Sequence, residues 1–221
     1  MRINKYLSQF TSLSRRKADE AILAGRVRKN EQTVHIGESV SSSDKITLDG
    51  KAVSPDRHKT ILLVLNKPIG FVCSRNGQGG KTIYEILPSE YQDLNPIGRL
   101  DKDSSGLLLL TNDGYLLNSL AHPSSKKEKV YEVTLNKALA VTEIEKLKKG
   151  VDIGDERPSK FKNISELGNY KYGVIIEEGR NRQIRRTFEA INVGVLKLHR
   201  TSFDDYNLGS LKPGQYKQII I

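Results

Sequence analysis

Residues 98–114 read GRLDKDSSGLLLLTNDG, and the four consecutive leucines Leu107–Leu110 constrain the fold more than any other stretch. Four adjacent apolar side chains leave no wet face, so this run must bury itself, and its length is that of a strand. The other long apolar run, Ile61–Leu65, is of the same kind. Ahead of the leucines stand Arg99, Asp101 and Asp103, between Gly98 and Gly106. A buried strand holds its flanking loop rigidly, which is what a working carboxylate needs. Arg99 and Asp101 lie two apart and point the same way if the loop is extended. A plain polar turn before a buried strand is the competing account.

Further strand-like runs lie at Phe71–Ser74, Leu107–Thr111, Val130–Leu135, Tyr172–Glu177, Lys197–Phe203 and Lys217–Ile221. Helical spacing appears at Thr82–Leu87, Tyr115–Ala121, Val141–Lys149 and Gln183–Ile191, and in the last of these Ile184, Phe188 and Ile191 share a face. Strands outnumber helices and do not alternate regularly with them. That predicts an α+β fold with a mixed, mainly antiparallel sheet flanked by helices, not a doubly wound one.

The start of the chain is patterned differently. Ile3, Tyr6, Leu7 and Phe10 recur at helical spacing, and Ser14 is placed to N-cap a second helix, RRKADEAILA, which Gly25 ends. β-like pieces follow at Arg26–Arg28, Thr33–Ile36, Ile46–Leu48 and Lys51–Val53, the last two flanking the hairpin signal Asp49-Gly50. Residues 1–54 are thus expected to form a small N-terminal α/β module, 55–59 a polar linker, and 60–221 a larger domain. A chain of 221 residues has room for both.

The formal charge is +10, which points to a polyanionic partner, nucleic acid first and an anionic membrane surface second. Much of it sits in the first 29 residues, as Arg2, Lys5, Arg15, Arg16, Lys17, Arg26, Arg28 and Lys29 against Asp19 and Glu20. Phosphates attract such a cluster at any sequence because counterions are released. A solvated basic face is the alternative. The one cysteine, Cys73, excludes a disulfide framework and a Cys-rich metal site, and it fits a reducing cytoplasm. No run approaches the length of a membrane span, and no leader-like apolar segment follows Met1. There is no Walker-type loop, no GxGxxG and no metal-ligand spacing; His35, His58, His122 and His199 are scattered. No cofactor or metal is expected.

Two more stretches bear on chemistry. Lys129-Val130-Tyr131 opens the run VYEVTL. A tyrosine there packs its ring and leaves its hydroxyl wet, or it offers a platform on which a base stacks. Glu178-Gly179-Arg180-Asn181-Arg182-Gln183-Ile184-Arg185-Arg186 places four arginines at the start of a helix. They bind phosphates, or one pairs with a carboxylate, or they form a second solvated patch.

Arg2-Ile3-Asn4-Lys5-Tyr6-Leu7, Ser14-Arg15-Arg16-Lys17-Ala18, Gly25-Arg26-Val27 and Gly37-Glu38…Asp44-Lys45-Ile46 together resemble the alpha-L RNA-binding module. That module has Asn-Gly where this chain has Asn30-Glu31, and a glycine there would permit positive φ. Nearly the whole chain resembles the pseudouridine synthases of the ribosomal small-subunit synthase A family. The carrying residues are Leu65-Asn66-Lys67-Pro68-Ile69-Gly70, Gly98-Arg99-Leu100-Asp101-Lys102-Asp103-Ser104-Ser105-Gly106-Leu107, the arginine stretch 179–186, and Leu211-Lys212-Pro213-Gly214.

The resemblance implies isomerisation of a flipped-out uridine to pseudouridine in ribosomal RNA, and the LLLLTNDG form resembles the large-subunit branch. It implies that Asp101 is the catalytic aspartate, Tyr131 the active-site tyrosine and Arg185 the arginine that pairs with the aspartate. Asp103 takes a structural role. Lys129 fits a basic-x-Tyr pattern, with Val130 in place of the usual Thr or Glu. RNA contacts are expected from Arg2, Lys5, Arg15, Arg16, Lys17, Arg26, Arg99, Lys129, Arg180, Arg182 and Arg186. The expected setting is a cytoplasmic monomer working on ribosomal RNA or a partly assembled subunit, with no membrane. Two other readings stand beside this one. A non-catalytic RNA-binding assembly factor would share the charge and the module. A phosphoryl-transfer enzyme built on Asp101 and Asp103 would need Mg²⁺ and a further carboxylate, for which Asp113 is the nearby candidate.

Overall fold

The computed structural model describes residues 1–11, 13–54, 60–122 and 125–220. Helices α1 (Ile3–Phe10) and α2 (Arg15–Leu23) open the chain. The Ser14 hydroxyl accepts the Lys17 N–H at 3.2 Å and caps α2 as its position predicts. Their apolar faces, Ile3, Leu7, Ala18, Ala21 and Ile22, pack with Val27, Val34, Val40 and Ile46 in a core of their own. Over them lies a four-stranded antiparallel sheet of β1 (Val27–Lys29), β2 (Gln32–Thr33), β3 (Ile46–Leu48) and β4 (Lys51–Val53), in the order β2-β1-β3-β4. Asp49 and Gly50 make the expected tight turn between β3 and β4, both at positive φ. The strand expected at Thr33–Ile36 is cut short, since β2 ends at Thr33. The turn before it is built from Asn30 (φ 50°) and Glu31 (φ 69°), so Glu31 occupies the left-handed position that a glycine would take without strain. Asn30 is secured by its side chain, which donates to Asp44 at 2.8 Å and accepts the Lys45 N–H at 2.9 Å. The polar linker expected at 55–59 lies outside the described residues.

The larger sheet contains β5 (Leu62–Lys67), β6 (Asn95–Ile97), β7 (Ser105–Thr111), β8 (Lys129–Leu135), β9 (Asn163–Gly168), β10 (Lys171–Ile176), β11 (Val195–Phe203), β12 (Tyr206–Asn207) and β13 (Tyr216–Ile219). Its order is β13-β5-β7-β11-β8-β10-β9, with β6 against β7 and β12 against β11. The pairing of β7 with β11 is parallel and the others are antiparallel, so the mixed, mainly antiparallel α+β sheet is what the strand pattern predicts. The flanking helices are α3 (Gly114–Ala121), α4 (Val141–Lys149) and α5 (Gln183–Glu189).

Leu107–Leu110 is fully buried because both faces of the sheet are covered. Leu108 and Leu110 join the cluster under Tyr131, Tyr172 and Phe188, whereas Leu107 and Leu109 join Leu62, Val64, Ile97 and Phe203 on the opposite side. A central strand of this kind has no need of polar alternation.

Two expected elements are different in the structure. Phe71–Ser74 is not a strand; Val72 makes one bridge to Thr82. Thr82–Leu87 holds one 3-10 turn, Ile83–Ile86, opened by the Thr82–Glu85 capping box and stopped at Leu87, which Pro88 holds extended. Strands β6, β9 and β12 carry no pattern that predicts them. β6 contains Pro96, and β9 is a sheet edge whose one buried residue is Ile164.

Candidate active site

One row of register partners crosses four strands: Lys67 of β5 faces Gly106 of β7, Gly106 faces Arg200 of β11, and Arg200 faces Tyr131 of β8. Facing residues share a side of the sheet, so this row is a continuous floor. The approach at Gly106 is very close. A Cβ there would stand 2.2 Å from the Arg200 carbonyl oxygen, and φ is +107°, so only glycine fits.

Lys67 is fully buried, and its ammonium donates to the carbonyl oxygens of Pro68 (3.1 Å), Asp101 (3.0 Å) and Ser104 (2.7 Å). Burial pulls its pKa below the usual lysine range, against the attraction of Asp101 and Asp103. The ammonium therefore adds to the one backbone bond of the tight turn, Ser104 N–H to the Asp101 carbonyl at 3.1 Å, and fixes the loop leading into β7.

From that loop Asp101 projects with its side chain 35% exposed, 3.8 Å from the Arg182 guanidinium. Arg182 also makes a two-pronged bond to Asp103, both arms at 3.1 Å. Arg185, only 12% exposed, holds the Asp103 carboxylate at 3.2 Å and donates to the Asp103 carbonyl (2.9 Å) and the Val195 carbonyl (3.0 Å). The expected pairing of Arg185 with Asp101 is thus replaced: Arg185 takes Asp103, and Arg182 is the arginine nearest Asp101. The cause is the start of α5. Arg182 sits in the left-handed region (φ 45°) as the residue before the helix, which turns its guanidinium back over the loop. Burial of the Asp103 carboxyl opposes its charge, but the Arg182 bonds and the Arg185 charge prevail and hold it below the usual carboxylate range.

The other two arginines of the stretch face away. Arg180 and Arg186 both bind Asp155, at 3.1 Å and 2.7 Å. Arg180 also binds Glu178 and the Pro158 carbonyl, and Arg186 binds the Ile153 carbonyl. This clamp divides the four arginines into two that brace the loop 152–159 and two that face the aspartates. As phosphate ligands, Arg180 and Arg186 are already occupied.

Tyr131 is 6% exposed, so its ring is packed into the core and is not presented as an open platform. Its hydroxyl faces Arg200, a residue the sequence did not single out. The one available signal was an arginine inside the otherwise strand-like Val195–Phe203. Lys129 is half-buried, its ammonium 5.0 Å from the Phe203 ring centre and bonded to the Lys127 carbonyl. Burial and the nearby Arg200 charge lower its pKa to about 8. Arg99 is exposed beside the loop. Asp113 caps α3 by accepting the Tyr115 and Leu116 N–H groups, which removes it as a third carboxylate for Asp101 and Asp103. Among the described residues no three His, Cys, Asp or Glu side chains converge as a metal site, and no helix is long and apolar enough to cross a membrane.

On the small module, Arg2, Arg15, Arg16 and Lys17 are exposed and Lys5 half-exposed, and none forms an ion pair among the described residues. Arg26 is exposed but bound two-pronged to Asp49.

The sequence profile of the RNA pseudouridylate synthases matches residues 61–190. The chain belongs to that family. It is 36% identical to the ribosomal large subunit pseudouridine synthase B of Bacillus subtilis, over 99% of this chain and 91% of that protein. It is 34% identical to an uncharacterized RNA pseudouridine synthase of Aquifex aeolicus, over 99% and 90%. With the dual-specificity RNA pseudouridine synthase RluF of Escherichia coli it shares 33% identity, over 99% and 75%. A crystal structure of a pseudouridylate synthase superposes with a TM-score of 0.72 at 30% identity, covering 100% of this chain and 96% of that one.

Proposed function

We propose that this protein isomerises uridine to pseudouridine in ribosomal RNA, with Asp101 as the catalytic carboxylate. One observation carries the reading: Asp101 is a partly exposed carboxylate on a loop pinned by Lys67, with a guanidinium 3.8 Å away. Either route requires a carboxylate held in place, and the neighbouring guanidinium is positioned to orient it. In one route Asp101 attacks the anomeric carbon as a nucleophile. In the other it removes the 2′ proton as a base. Both break the bond from ribose C1′ to uracil N1 and form one from C1′ to C5. N1 gains a proton, C5 loses one, and nothing is oxidised.

The target base leaves its stack, at a cost of about a few kcal/mol. Tyr131 forms the wall against which it is received. Residues 1–54 act as an RNA-holding module through Arg2, Lys5, Arg15, Arg16 and Lys17, and 60–221 as the catalytic domain. Large-subunit ribosomal RNA is the substrate favoured by the resemblance to the Bacillus subtilis enzyme, and the cytoplasm is where such RNA is met.

The test is tritium release from rRNA transcripts and partly assembled subunits carrying 5-tritiated uridine, with wild type beside Asp101→Asn. Release by wild type alone is expected. Equal release by both would mean a different carboxylate. RNA binding with no release on any substrate would mean an assembly factor.

A further inference from the structure

The mechanism above leaves one buried charge unused. Arg200 is 2% exposed, yet no carboxylate stands within ion-pair distance of it among the described residues. Burying a guanidinium without a counter-charge is unfavourable, so its retention calls for an explanation.

Its three nitrogens have different fates. Nε donates to the Leu107 carbonyl at 2.7 Å. Nη1 donates to the Tyr131 hydroxyl at 3.4 Å. Nη2 is buried and has no partner. The guanidinium carbon lies 5.3 Å from the Phe203 ring centre and 6.0 Å from that of Tyr131. Arg180, which braces the loop 152–159, bonds only carbonyls and carboxylates through its two terminal nitrogens. Arg200 instead spends one arm on a tyrosine. Leu107 is the first leucine after the aspartate loop, so the guanidinium spans from that strand to the phenol oxygen. With the oxygen accepting from Arg200, the tyrosine's own proton stays free to face the site.

We propose that Arg200 is a positioning residue for Tyr131: braced on the Leu107 carbonyl, it sets where the phenol hydroxyl stands relative to the loop that carries Asp101. This rests on the reading that Tyr131 lines the site of uridine isomerisation.

The test is a double-mutant cycle in single-turnover tritium release, with wild type, R200K, Y131F and the double variant, beside RNA affinity and thermal melting. R200K is expected to slow release about a hundredfold, the scale of a 1 Å misplacement. RNA affinity should not change. In the Y131F background R200K should add nothing, because the hydroxyl it acts through is gone. Independently, the NMR signal of the Tyr131 carbon that bears the hydroxyl should shift in R200K. A wild-type rate in R200K, an equal loss in both backgrounds, an unmoved signal, or a fall in RNA affinity matching the rate loss each overturns the proposal. If R200K does not fold, R200Q takes its place, and if neither folds Arg200 is a core strut and the proposal fails. A silent wild type overturns the isomerase reading itself, whereas an active wild type with additive losses overturns only the role of Arg200.

Discussion

The Lys67 ammonium donates to the backbone carbonyl of Asp101 at 3.0 Å, holding the candidate catalytic residue by its main chain and leaving its carboxylate to face Arg182. Lys67→Met keeps the apolar stem and removes the donor. The Pro68 and Ser104 carbonyls then lose this donor and the Asp101 carbonyl keeps only the Ser104 N–H, so urea unfolding should show a loss of about 2 kcal/mol. Turnover should fall more than RNA affinity, since the loop moves and the exposed cations of the small module do not. A variant that unfolds at the wild-type urea concentration would show that water fills the place of the ammonium.

Asp155 touches neither Asp101 nor Asp103, yet it accepts from the two arginines that flank Arg182 and Arg185. Its carboxyl is held below the usual range by Arg186 first and Arg180 after it, despite some burial. Asp155→Ala should lower the melting temperature and slow tritium release about tenfold, because small displacements of active-site groups are costly. Unaltered kinetics would mean that α5 is set by its apolar face alone.

Lys129 makes folding sensitive to alkaline pH. Burial holds its pKa near 8 in the folded chain, against 10.5 for a free lysine. Between those values the unfolded chain binds the proton and the folded one releases it, so stability from this group rises with pH. Below pH 8 the folded state carries the whole penalty of a buried charge. The melting temperature of wild type minus that of Lys129→Met should therefore climb from about pH 8 to about 10.5 and be flat below. A difference that is flat throughout would place the ammonium in water.

Glu31 holds φ at 69° in the turn between β1 and β2, where a side chain is strained. Glu31→Gly should stabilise the small module by about 1 kcal/mol, the left-handed penalty for a non-glycine residue. Its rRNA binding should not change. Calorimetry of the full chain reads this as a rise in melting temperature, and a fall would mean that the Arg28 bond to the Glu31 carbonyl depends on the strained form.

The sequence made the main architecture legible because buried strands and capped helices leave local marks. Ser14, Asp49-Gly50 and Leu107–Leu110 each report their own surroundings. Strand β9 does not, because an edge with one buried residue has no apolar period. Nor does Phe71–Ser74, whose apolar residues pack without a neighbouring strand to extend them. The site was legible as residue types but not as pairings. Four arginines within seven residues look alike in sequence, and which of them faces Asp101, Asp103 or Asp155 depends on the left-handed turn at Arg182. Arg200 was hidden for a related reason, because an arginine in a strand reads as a wet face until both flanking strands are in place.

Strands β7 and β8 follow one another along the chain but never touch in the sheet, because β11 is seated between them. The loop bearing Asp101 and the strand bearing Tyr131 become neighbours only when residues 195–203 have been threaded into the gap. A chain made from its N-terminus has both residues before the strand that joins them, so their meeting waits on residues 195–203. Completion of the candidate site is thus tied to a pairing of strands distant in sequence, the slow kind of contact to form.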